Sequence, residues 1–285
     1  MLLIYMHLKD YLAVPKILML CILPAAHFSY VYSLWWGNEA GIICLLMIDA
    51  IMIISRHPYI AGVLISLCMC KPQIAGIICI MFLVRGHVKA VLTGAVICFA
   101  AWAGASVMTG IPMMQLLSEC FSSGIYSPND NYTGLFHVLT LHGFGKNTIP
   151  AVNMLTGLVY MMLLYCYLKS NIRSQTLMDF AAYIPACLAS VIWMYKNGCD
   201  YLLLIYPASV GVLLCMSGRT SRKDFMKALI CTGYLLASRC LVYFGIALIS
   251  RTNEARALYK SLDGLLIMIA GIILAKLLVK YQEDK

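Results

Sequence analysis

The chain has 285 residues, 62% of them hydrophobic and 12% charged, with a net charge of +9. A mean hydropathy of +0.85 and repeated apolar runs of about 17–25 residues exclude a soluble globule and describe a polytopic α-helical membrane protein. The runs are continuous where a membrane β-barrel would alternate, and the cations are spread over short loops without the basic face that nucleic acid requires.

The expected fold is all-α: one transmembrane domain over residues 1–285, with about nine or ten transmembrane or re-entrant helices. The first run, 14–36, follows Lys9 and Lys16 and contains ILMLCIL and then PAA, as a signal peptide would. Apolar character continues to Trp36, so a retained span is expected. The second run, 38–55, opens on Gly37-Asn38-Glu39 and closes at Arg56.

From Pro58 to Val84 the chain is apolar except for Lys71-Pro72-Gln73 at its midpoint. Read as one helix, these 27 residues would reach about 40 Å and bury Lys71 near the bilayer centre. Read as two legs, 58–70 and 72–84, they form a half-depth hairpin with Lys71 at its turn. Pro72 suits the first position of the second leg, where its missing N–H is no loss. A helix start and an ammonium then meet at one spot below the outer surface, an arrangement that suits an anion. The competing reading is a lysine that snorkels to the interface.

The run 88–109 precedes the longest polar segment, 110–147, where outer interfacial helices are expected. It contains the amphipathic IPMMQLLSECF and then SPNDNYTGLFHVLTLHGFG, with Asp130 in a turn-rich opening and His137 and His142 beyond it. Those histidines are five apart, which is not a helical metal-ligand spacing. Runs at 148–168, 178–195, 200–216, 228–249 and 261–279 follow, and KNGCDY puts Asp200 at a tight turn between two of them. The thirteen cysteines lie mostly inside apolar runs and act as small hydrophobes, so no metal site is expected.

With a cytoplasmic N-terminus and the hairpin, fourteen lysines and arginines fall inside and six outside, with Arg239 in a span. This is the bias that orients membrane helices, and it makes both termini cytoplasmic in an integral cell-membrane protein. A single helix over 58–84 would invert every later loop. Glu39, Asp200 and Asp130 then share the outer face with Lys71, each as a base or as a helix cap.

The block WGNEAGIICLLMIDAIMIISRHPYIAGVLISLCMCKPQIAGIICIMFLVRGHVKAVLTG resembles the central region of glycosyltransferase family 87. Its Gly37-Asn38, Arg56, Lys71-Pro72-Gln73, Arg85 and Lys89 stand in the family's order, and NDNYTGLFHVL and DYLLLIYPASVGVLL are similar to later family segments. The resemblance covers roughly residues 20–216 and implies a GT-C-like membrane enzyme. Such an enzyme moves a mannose-like hexose from a polyprenyl-phosphate-sugar donor to an extracytoplasmic glycan or glycolipid acceptor. Its partners are membrane lipid, donor and acceptor; no cofactor and no nucleic acid are implied. Lys71 and Gln73 are then expected at the donor phosphate, Asn38 and His137 on substrate, and Glu39, Asp200 or Asp130 as base.

Departures from the family pattern set further expectations. Only one apolar run precedes Gly37, so the N-terminal region that carries the catalytic Asp in such enzymes is expected to be lacking. Trp36 stands where Arg is common, and KNGCD stands where a His is common. No Asp-x-Asp motif occurs, so no metal-held nucleotide sugar is expected. A lipid-linked-sugar transporter, or a truncated inactive transferase, remains as an alternative at this point.

Overall fold

The computed structural model describes residues 39–116, 118–119, 148–193, 198–217, 220–249 and 253–283, all helical or irregular and without strands. The helices, in order, are α1 (Ala40–Ile53), α2 (Pro58–Cys68), α3 (Pro72–Val84), α4 (Val88–Thr109) and α5 (Thr148–Asn171). Then come α6 (Gln175–Ala181), α7 (Ile184–Trp193), a 3-10 helix (Gly198–Leu204), α8 (Ile205–Met216), α9 (Arg222–Ile249) and α10 (Asn253–Glu283). Four stretches are long and apolar enough to cross a membrane: Val88–Thr109, Ala151–Asn171, Gln175–Ile192 and Leu258–Gln282.

The breaks follow local chemistry. His57 and Lys71 each precede a proline, which disfavours the helical conformation. Both have left it, with φ, ψ of −132°, 66° and −125°, 80°. Pro58 and Pro72 then begin α2 and α3. At the far end of α3, His87 N donates to Phe82 O at 2.8 Å and Gly86 N to Leu83 O at 2.9 Å. That is a Schellman ending, and Gly86 supplies its left-handed residue with φ 79°.

The hairpin is fixed by what packs across it. A Cβ on Gly62 of α2 would lie 2.5 Å from Thr93 Cβ and 2.7 Å from Ala90 O of α4. One turn further along both helices, Cys98 Sγ reaches Ser66 O at 3.7 Å. Residue numbers rise together along the contact, so α2 and α4 run parallel and α3 must return between their levels. The single-helix reading of 58–84 is thereby excluded.

Depth follows from the same register. Ser66 is level with Cys98, so Lys71 is level with about residue 103, and α4 continues to Thr109. Six residues of helix put the turn about 9 Å short of the end of α4.

Core and periphery separate by burial. The apolar window of α4 is only 6% buried, whereas Gln175–Ile192 is 83% buried. The first is a peripheral helix, whose exposed Leu92, Val96 and Phe99 suit hydrocarbon. The second lies at the centre, and Tyr206 of α8 donates to Phe180 O within it at 2.8 Å.

One end of the bundle is tied by polar side chains. Arg85, after α3, pairs with Asp179 of α6. Gln282 Oε1, near the end of α10, accepts from Arg173 N at 2.7 Å and Ser174 N at 3.2 Å. Lys280 holds Asp224 at 2.6 Å, and Ser221 Oγ caps the start of α9, accepting from Asp224 N at 3.2 Å while donating to Asp224 Oδ2 at 2.8 Å. Arg85, Arg173 and Lys280, all expected on one side of the membrane, thus share one end.

Four elements differ from their expected ranges. The run 178–195 is two helices parted at Ala182–Tyr183, where Pro185 enters the first turn of α7. The run 200–216 begins as a 3-10 helix. Helices α9 and α10 extend past 228–249 and 261–279, because hydropathy marks the apolar stretch and not the polar turns that prolong it.

Candidate functional site

The turn at Lys71 is a compact backbone knot. Lys71 N donates to Cys68 O at 3.0 Å, while Lys71 O accepts from Ile74 N at 2.9 Å and Ala75 N at 3.2 Å. The positive end of the α3 dipole therefore lies beside the lysine. Cys68 Sγ contacts Ile43 O of α1 at 3.4 Å, bringing the first turn of α1 against the knot.

This placement puts Glu39, at the head of α1, beside the lysine. Lys71 Nζ lies 3.3 Å from Glu39 Oε1, with the lysine side chain 12% exposed and the glutamate side chain 62% exposed. The ammonium is sheltered and the carboxylate faces outward. Glu39's own backbone N–H and the nearby Lys71 hold the carboxyl below its ordinary value, against the opposing effect of partial burial. The arrangement presents a sheltered cation behind an exposed carboxylate, at a turn that lies short of the end of α4.

The other expected site residues are placed as follows. Asp200 lies on the 3-10 helix, which packs against α1; its side chain, like that of Gln73 on α3, is outside the described residues. Asn38, Asp130 and His137 also lie outside them. Among the described residues, no group of three or more His, Cys, Asp or Glu side chains is arranged to hold a metal ion.

One cluster escaped the reading of the sequence. Asp263 of α10, 2% exposed, accepts hydrogen bonds from the Tyr201 hydroxyl at 2.9 Å and the Tyr234 hydroxyl at 2.6 Å. A signal was present: Asp263 is an acidic residue inside the last apolar run, and intramembrane acids are seldom idle.

Comparison with known proteins supplies the remaining finding. The model of glycosyltransferase family 87 matches residues 2–238, well over half of the 285-residue chain. No curated protein and no solved structure matches.

Proposed function

The chain belongs to glycosyltransferase family 87, and on that premise we propose that it transfers a mannose-like hexose from a polyprenyl-phosphate-sugar to an acceptor at the non-cytoplasmic face. The observation that carries this reading is the Lys71–Glu39 contact at the recessed turn. In the reaction, the acceptor hydroxyl oxygen attacks the anomeric carbon. The bond from that carbon to the phosphate oxygen breaks, and its electron pair leaves with the polyprenyl phosphate. Lys71, aided by the start of α3 and by Gln73, stabilises the charge that grows on that phosphate. Glu39 takes the hydroxyl proton, with Asp200 and Asp130 as the other carboxylates proposed for that part and Asn38 and His137 as substrate contacts.

A sugar ring does not fit between two groups in direct contact, so the empty and loaded sites must differ. The donor phosphate takes the ammonium over from Glu39, and the released carboxylate turns to the acceptor. Base and leaving-group cation then flank the reacting carbon.

Sidedness follows from charge. The end that carries Arg85, Arg173 and Lys280 is the cation-rich one, and it faces the cytoplasm together with both termini. The Lys71 turn lies toward the opposite side of the membrane.

Sealed vesicles given radiolabelled polyprenyl-phosphate-mannose on that side test the reading. Label appears in glycan or glycolipid with the wild type and falls by about 10²–10³-fold with Lys71→Ala. Donor crossing the membrane without glycan formation would make the protein a transporter, and neither event would make it an inactive relative.

A further inference from the structure

Helix α10 lies beyond the family-matched residues, which end at 238, yet it supplies the centre of the buried Asp263 cluster. Both carboxylate oxygens of Asp263 accept a phenol hydrogen bond, Oδ2 from Tyr201 and Oδ1 from Tyr234. Lys260, one turn earlier, is 6% exposed. A carboxylate is costly to bury and persists only where hydrogen bonds replace its water. Apolar residues of similar volume are often as stable in such places or more so. Stability alone therefore does not account for an acid here.

The two phenols belong to very different elements. Tyr234 sits within α9, a helix of 28 residues held by its own ladder. Tyr201 belongs to the seven-residue 3-10 helix, a geometry whose poorer hydrogen bonds make runs beyond three or four residues uncommon. That 3-10 helix packs against α1, the helix that Glu39 opens, and Asp200 precedes Tyr201 on it. Tyr201 is 1% exposed, so its hydroxyl has little freedom to exchange Asp263 for water. Fixing Tyr201 fixes where this turn stands relative to the Lys71–Glu39 corner.

We propose that Asp263 is a positioning residue for the transfer reaction: by accepting the Tyr201 hydroxyl it holds the 3-10 helix where the sugar and acceptor need it. The proposal rests on glycosyl transfer at the Lys71 corner. Asp263 itself touches no substrate and acts through Tyr201. The C-terminal helix is then part of the working site although it lies outside the family match.

The test sets the two phenols against each other in nanodisc-embedded protein. Tyr201→Phe, Tyr234→Phe and Asp263→Asn are compared by amide hydrogen exchange over 198–204 and by transfer kinetics, beside Lys71→Ala. Tyr201→Phe and Asp263→Asn raise exchange over 198–204 by about tenfold, with the other helices unchanged. They lower kcat by about tenfold or more and leave the donor KM unchanged, since Lys71 holds the phosphate from another element. Tyr234→Phe removes a hydrogen bond of the same kind from the same carboxylate, yet leaves kcat and the 198–204 exchange as they were. Equal effects from the two Phe variants, exchange raised across the whole bundle, or a loosened turn with unchanged kcat would each overturn the positioning role. Full turnover in Lys71→Ala would instead remove the glycosyl-transfer reading, and with it the role that rests on it, whatever the tyrosine variants do.

Discussion

Helix α3 begins after Lys71 and ends at Arg85, and the two cations that bracket it are held in opposite ways. Arg85 pairs with Asp179 and has Tyr165 and Tyr183 alongside, while a Schellman turn fixes its backbone. Lys71 makes a 3.3 Å contact with a glutamate that is 62% exposed. A guanidinium is a planar fork that stays charged and can serve several partners at once; an ammonium is a compact point charge that exchanges one anion for another. One end of the helix is a tie, and the other is a contact that a ligand can displace. The chemistry is expected at the end whose partner carboxylate stands more exposed, 62% against 40%.

The sharpest way to break this contrast is to truncate each cation. Lys71→Ala should lower kcat/KM by about 10²–10³-fold, the usual cost of removing a group that stabilises a leaving oxyanion, with an unchanged melting midpoint in detergent. Next in size, Glu39→Gln should lower kcat by about 10²-fold and at the same time lower the donor KM. Without that competing carboxylate, the sheltered ammonium takes up the phosphate more readily. A purely structural ion pair would raise KM or leave it alone.

Arg85→Ala should do the reverse. It leaves Asp179 without its cation and costs about 1–3 kcal/mol of stability, read as a lower melting midpoint, while kcat per folded molecule is retained. The smallest effect lies in the pH profile. Glu39 must be unprotonated to act, and its own backbone N–H and Lys71 depress its pKa. Donor kcat/KM should therefore persist as pH falls past 4.5, the ordinary value, and decline only as pH drops through the lowered one. In the residual activity of Lys71→Ala that acid limb should move upward.

Much of the fold was legible because its punctuation is local. His57-Pro58 and Lys71-Pro72 announce the two breaks through the geometry of proline alone. The length of 58–84 and the cations at Arg56 and Arg85 then leave a hairpin as the consistent threading. Glu39 and Lys71 were legible separately as outer polar residues, but their contact was not. Nothing in periodicity says which turn of α1 meets the knot, and that is decided by Cys68 packing on Ile43. Asp263 was harder still, because its partners lie 62 and 29 residues away in the chain. Hydropathy registers Tyr201 and Tyr234 as members of apolar runs and is blind to their hydroxyls. The 3-10 start before α8 was illegible for a related reason, since an apolar stretch reads alike in either helix type.

Cys70 offers the most direct test, being exposed and adjacent to Lys71. Intact cells are treated with a membrane-impermeant maleimide, with and without added polyprenyl phosphate, and modification of Cys70 is read by mass spectrometry. The account predicts that Cys70 is modified from the non-cytoplasmic side and that polyprenyl phosphate protects it. Modification from the cytoplasmic side alone, or indifference to the lipid phosphate, would contradict it.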